Sequence, residues 1–155
     1  MDRPRDDTAE DEARRCRAYR LFLETLTGTS IGRLRRLAAP DIHYHDPFTD
    51  ARGLAQVEKV FARLFEEVDD PRFTVTHAAC DGDTCFLRWH FTCRPKTIRK
   101  GHPWVVDGVT EVRFDTHGRV IEHIEHWDAG EQVYERMPVV RALIRWLKRR
   151  VSAPV

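Results

Sequence analysis

The chain reads as an α+β domain. A strongly curved, mostly antiparallel sheet forms a cone, three helices from the N-terminal half cover it, and a basic helix follows at the C-terminus. Three observations lead there. Apolar residues recur at helical spacing in three stretches of the N-terminal half and once more after Pro138. From Phe73 onward they alternate instead, as half-buried strands do. Asp81-Gly82-Asp83 and Asp115-Thr-His-Gly118 supply the turn chemistry that joins such strands into hairpins.

The elements follow in order. Residues 1–10 are rich in Asp, Arg and Pro and read as a disordered arm. The domain proper then occupies 11–136, and the terminal helix 137–155. From Glu12 to Thr27, Cys16, Tyr19, Phe22, Leu23 and Leu26 fall on one helical face. Gly28 ends that helix and Ser30 caps a second, Ile31 to Ala38, which Pro40 closes. A strand begins at Ile42 and stops at Asp46-Pro47, because proline cannot donate to a ladder. A turn through Thr49 to Arg52 follows. After Gly53, Val57, Val60, Phe61, Leu64, Phe65 and Val68 define an amphipathic helix stopped by Asp69-Asp70-Pro71. Strands then run Phe73–Ala79, Thr84–Cys93, Trp104–Phe114 and Arg119–Asp128, with a basic loop, Arg94–His102, between the second and third. Pro138 suits the first turn of a final helix ending near Val151.

Composition narrows the function. The 155 residues make one domain with one core. Charged residues of both signs nearly cancel, at a formal net charge of +1, which argues against nucleic acid as partner. No apolar run reaches the roughly 18 residues of a membrane span, and the N-terminus lacks a signal segment, so a cytoplasmic protein is expected. Cys16, Cys80, Cys85 and Cys93 show no paired spacing and read as reduced thiols.

The stretch Asp41 to Gly53 organises the candidate site. Alternation puts Ile42, Tyr44 and Asp46 on one face of the strand and His43 and His45 on the other. Asp46 is thus fixed at the rim of whatever Tyr44 helps to line, or else caps the turn. On the last strand His123, Glu125 and Trp127 share a face. That face is either a pocket-facing acid/base pair or a surface ladder. Ile121 lies on the same side, while Val120 and Ile124 lie on the other, so the pattern leaves both open. Tyr44, Phe61, Phe65, Trp89, Phe91, Trp104 and Trp127 fall on inward faces and would line a cavity, or pack as core. His123 and His126 lie on opposite faces of one strand, and His43 and His45 point away from Asp46, so no metal is expected; no cofactor is expected either. Arg141 to Arg150 carries five positive charges beside an apolar stripe of Val140, Leu143, Ile144, Leu147 and Val151. This pattern suits an anionic membrane surface, a partner protein, or a helix docked on the domain with its charges solvated.

Two runs carry a family resemblance. Tyr44-His-Asp-Pro-Phe48 followed by Gly53, and Val112-Arg-Phe-Asp-Thr-His-Gly-Arg-Val120 leading to Trp127, resemble the nuclear transport factor 2-like superfamily. Within it, the similarity is to ketosteroid isomerases and SnoaL-like polyketide cyclases, over about Tyr19 to Trp127. The resemblance implies a cone-shaped sheet, and a homodimer through the sheet's outer face. It implies Asp46 as the proton-shuttling base and turns His123, Glu125 and Trp127 into the cone. Tyr19, with Phe22 competing for the position, matches the isomerases' phenol donor. Their second donor, a protonated Asp, falls on Thr110 here, a weaker oxyanion donor. The function implied is a cofactor-independent isomerase, cyclase or hydratase acting on a small hydrophobic molecule. The same fold also hosts non-catalytic small-molecule or lipid-binding modules and interaction domains, which stay open.

Overall fold

Six strands make one sheet in the order β2-β1-β6-β5-β4-β3, and three helical segments lie across its concave face. The computed structural model describes residues 4–97 and 102–151. Helix α1 spans Pro4–Glu24, a 3-10 turn Ile31–Arg33 leads into the short α2 (Leu34–Leu37), and α3 spans Leu54–Glu67. The strands are β1 Ala38–His45, β2 Asp50–Arg52, β3 Val68–Asp81, β4 Thr84–Pro95, β5 Trp104–Phe114 and β6 Val120–His126. After the sheet come α4 (Ala129–Gln132), a 3-10 turn Tyr134–Arg136 and α5 (Pro138–Val151).

Every neighbouring strand pair is antiparallel except β1 and β6, which run parallel. Alternation on β4 buries Cys85, Leu87, Trp89, Phe91 and Cys93, and β5 buries Trp104, Val106, Thr110, Val112 and Phe114. Against this face pack Cys16, Tyr19, Phe22 and Leu23 of α1 and Val57 and Phe61 of α3. About two turns of α1, Cys16 to Leu23, thus seal the inner end of the cone with their apolar face.

Several expectations change in the structure. The arm expected over 1–10 is helical from Pro4 onward, with proline in the first turn and Asp11 paired to Arg14 and Arg15 one turn on. The first helix ends at Glu24 rather than Thr27, and β1 begins at Ala38, so Pro40 lies inside a strand that shifts register between Ala38 and His43. The expected turn Thr49–Arg52 contains strand β2, paired to the end of β1. Asp69-Asp70-Pro71 does not interrupt the chain but forms a bulge inside β3, with Asp70 at φ +50°. The last strand stops at His126, and Asp128 instead caps α4 through the Glu131 amide. Of the basic loop Arg94–His102, residues 98–101 lie outside the described residues.

The bulge in β6 matters most for the site. Phe114 pairs with Val120 but Arg113 pairs with Glu122, so Ile121 is an extra residue on the β6 side. Alternation therefore resets, and Val120 and His123, three apart, are both fully buried.

Candidate active site

The concave face leaves a cavity of about 680 Å³ between α3, β4, β5 and the β1–β2 loop. Its wall is apolar and aromatic: Tyr44, Phe61, Trp89, Phe91, Trp104 and Trp127 all contribute. Phe65 does not line it, because that ring turns toward Gly28; Val60 and Leu64 of α3 and Phe73 of β3 line the cavity instead. At the mouth, Phe48 packs edge-on against Trp127 and Tyr134, with ring centroids 5.3 and 5.8 Å apart. Phe48 and Tyr134 follow from no periodicity, since one lies in the loop after β1 and the other in a single 3-10 turn.

Asp46 stands in this wall. Its two oxygens have separate tasks. Oδ1 accepts the Phe48 backbone N–H at 2.7 Å, while Asp46 and Thr49 exchange backbone hydrogen bonds around Pro47. Oδ2 accepts the Tyr44 phenol O–H at 2.8 Å. Turn cap and pocket carboxylate are therefore one residue. The loop is held at its far end by Gly53, whose φ of +87° no L side chain adopts easily and whose N–H donates to Ile42 at 2.8 Å.

A second carboxylate, Glu125, also lines the cavity. It is backed by a buried chain: Tyr19 Oη lies 2.7 Å from His123 Nδ1, and His123 Nε2 lies 3.1 Å from Glu125 Oε1. A carboxylate only accepts, so Nε2 carries a hydrogen toward it, and in the neutral imidazole Nδ1 accepts from the Tyr19 phenol. The His123 ring, wholly buried, is stacked on the Tyr44 ring with centroids 4.9 Å apart. Their register explains this: Tyr44 and His123 are paired across the parallel β1–β6 ladder. Tyr19 and His123 do not reach the cavity surface themselves. They hold Glu125, which does.

Burial pushes the Tyr19 phenol far above its usual value, and the Glu125 charge adds to this. Tyr44 is raised likewise by burial, then by the Glu125 and Asp46 charges, so both phenols stay protonated donors. Thr110 is not at the cavity surface: it is fully buried and its hydroxyl accepts the Trp89 indole N–H at 2.8 Å. It orients a wall ring rather than facing a ligand. Cys93 lines the cavity, but burial lifts its thiol to about 11, against a role as nucleophile.

The histidine pairs do not converge. His43 faces Asp50 at 2.8 Å, His45 lies 4.0 Å from the same carboxylate, and His126 pairs with Glu111 at 3.1 Å.

A curved sheet closed by helices around an apolar cavity, with Asp46 and Glu125 in its wall, defines a small α+β cone built around a pocket. The chain belongs to the SnoaL-like domain family, whose profile matches residues 19–123. Solved structures share the fold. A hypothetical protein of ketosteroid isomerase-like fold from Catenulispora acidiphila, in complex with trimethylamine, superposes with a TM-score of 0.64 at 20% identity, over 74% of this chain and 87% of that one. A Shewanella denitrificans protein provisionally named a SnoaL-like polyketide cyclase gives 0.67 at 18%, over 83% and 97%. A Mycobacterium tuberculosis LEH-like epoxide hydrolase gives 0.64 at 15%, over 96% and 98%. At such identities the likeness establishes the fold alone. No curated protein matches the chain.

Proposed function

We propose that the protein binds a small hydrophobic carbonyl or polycyclic compound in this cavity and acts on it as a cofactor-independent isomerase, cyclase or hydratase, with Asp46 as general base. The observation that carries the reading is the pair of buttressed carboxylates, Asp46 held by Tyr44 and Glu125 held by His123, in one aromatic cavity. Rigid positioning inside a low-dielectric wall is what proton transfer from carbon needs.

The chemistry uses this chain's own groups. Asp46 takes a proton from a carbon beside the substrate carbonyl and becomes a neutral acid. Its hold on the Tyr44 O–H weakens with the loss of charge, which frees that donor for the enolate oxygen. The proton then returns to another carbon in an isomerisation; in a ring closure the enolate carbon bonds to a second carbonyl carbon and the proton goes to the alkoxide oxygen formed there. Glu125, kept in place by His123 and Tyr19, is the second acid/base group.

One observation favours a non-catalytic binding module. The position of the isomerases' second donor holds Thr110, which is committed to Trp89. The same experiment separates the two. Steroids, aromatic polyketides, epoxides and fatty acids are screened by thermal shift against wild type, Asp46→Asn and Glu125→Gln. Compounds that bind are then assayed for turnover and for proton exchange with deuterated water. Loss of exchange in Asp46→Asn, with binding retained, supports the enzyme. Binding without exchange in wild type supports the module. Stabilisation by no compound of any class rejects both.

A further inference from the structure

Three of the four cysteines meet, at the inner end of the cone away from the cavity mouth. The sulfur atoms of Cys16, Cys80 and Cys85 all lie within 4.8 Å of one another. Three elements deliver them. Cys16 sits on α1 three residues before Tyr19, and Cys80 and Cys85 are directly opposed across the β3–β4 hairpin. One row of paired residues crosses the sheet from Tyr44 through His123, Val112 and Cys85 to Cys80. The cluster therefore ends the row that begins at the cavity wall.

Three sulfurs bound to one zinc ion at about 2.3 Å sit roughly 3.8–4.0 Å apart, so contraction by less than about 1 Å would seat a metal. Thiolates favour soft and borderline d10 cations over hard ones. Cys16 and Cys85 are buried while Cys80 is exposed, which gives an ion a route in from solvent and leaves an open coordination position beside Cys80. The surroundings suit the charge. Arg17 and Arg20 flank Cys16, and Glu12 lies on the Cys80 side.

We propose that Cys16, Cys80 and Cys85 bind one thiophilic divalent cation of the zinc and cadmium class, clipping α1 to the β3–β4 hairpin. Binding releases three thiol protons to solvent and leaves a complex of net charge −1 near Arg17 and near Arg20, which is itself paired with Glu24. Because Cys16 and Tyr19 share one helix, the clip also fixes the end of the Tyr19–His123–Glu125 chain.

The test uses the full, reduced chain and the metals alone. Cadmium titration is followed by the ultraviolet thiolate-to-metal charge-transfer band, in wild type and in Cys16→Ser, Cys80→Ser, Cys85→Ser and Cys93→Ser. The expected result is a band saturating at one equivalent, lost or sharply weakened in each of the first three variants and kept in Cys93→Ser. A second measurement needs no variant. With zinc at ten times its dissociation constant, modification of exposed Cys80 by a thiol reagent slows about tenfold. No band in wild type, a band indifferent to any one of the three cysteines, or Cys80 reacting at the same rate with zinc overturns the proposal. So does a Cys80–Cys85 disulfide that, once reduced, binds neither metal.

Discussion

Replacing Gly108 by alanine tests how tightly the cavity wall is built. Gly108 lies opposite Trp89 in the β4–β5 ladder, and the indole folds over it. A Cβ there would stand 2.5 Å from Trp89 Cζ2, 2.6 Å from Cη2 and 3.0 Å from the His126 carbonyl oxygen. Contact at van der Waals distance requires the ring to retreat by about 1 Å. It cannot do so freely, since Trp89 is buried and its N–H is bonded to Thr110 at 2.8 Å. Overpacking of this kind costs about 1–3 kcal/mol, and a lost buried hydrogen bond about 1–3 more. The gain of alanine over glycine in a strand returns at most about 1 kcal/mol. A net loss of about 1–5 kcal/mol is expected, or roughly 2–20 °C in Tm for a chain of this size. Gly32→Ala, where nothing lies within 4 Å of the added Cβ, is the control and should be near neutral. In a double-mutant cycle, Trp89→Phe should relieve the clash, with a coupling of about 1 kcal/mol or more. If Gly108→Ala melts at or above wild type, Trp89 is not seated as described and the wall reasoning fails.

Tyr19→Phe leaves His123 Nδ1 without its partner at full burial. About 1–3 kcal/mol of stability should disappear, measured by urea denaturation, and an unchanged midpoint would dismiss the buried chain. On the outer face of the sheet, Arg113 holds the Glu122 carboxyl below its ordinary 4.5. A carboxylate lowered in the folded state stabilises above its unfolded value and stops doing so as pH falls through the folded one. The acid limb of Glu122→Gln should therefore be shallower below about pH 4.5, and identical limbs would remove the pair from the account. Helix α5 exposes Leu143, Trp146 and Leu147 beside its basic residues, while no described helix is long and apolar enough to cross a membrane. Deleting residues 141–155 is expected to abolish partitioning onto anionic vesicles in a flotation assay; equal partitioning of both chains would end the membrane-surface reading.

The sequence alone determined the class of fold, because periodicity is a local property. A spacing of three and four marks Cys16, Tyr19 and Leu23, and a spacing of two marks Leu87, Trp89 and Phe91, wherever they end up. Asp46 was legible for the same reason, since Asp-Pro chemistry fixes its own turn. Tertiary structure decided what periodicity cannot carry. The bulge at Ile121 resets alternation on β6, and only that puts both Val120 and His123 inward with Glu125 at the cavity. Phe65 and Thr110 keep the apolar or inward positions their patterns give them. Neighbouring elements, Gly28 and Trp89, then turn them away from a ligand. The three cysteines lie on separate elements with no shared spacing, and only closing α1 over the β3–β4 hairpin brings their sulfurs together. Local pattern says which way a side chain points from its own backbone. Register and packing decide what it meets there.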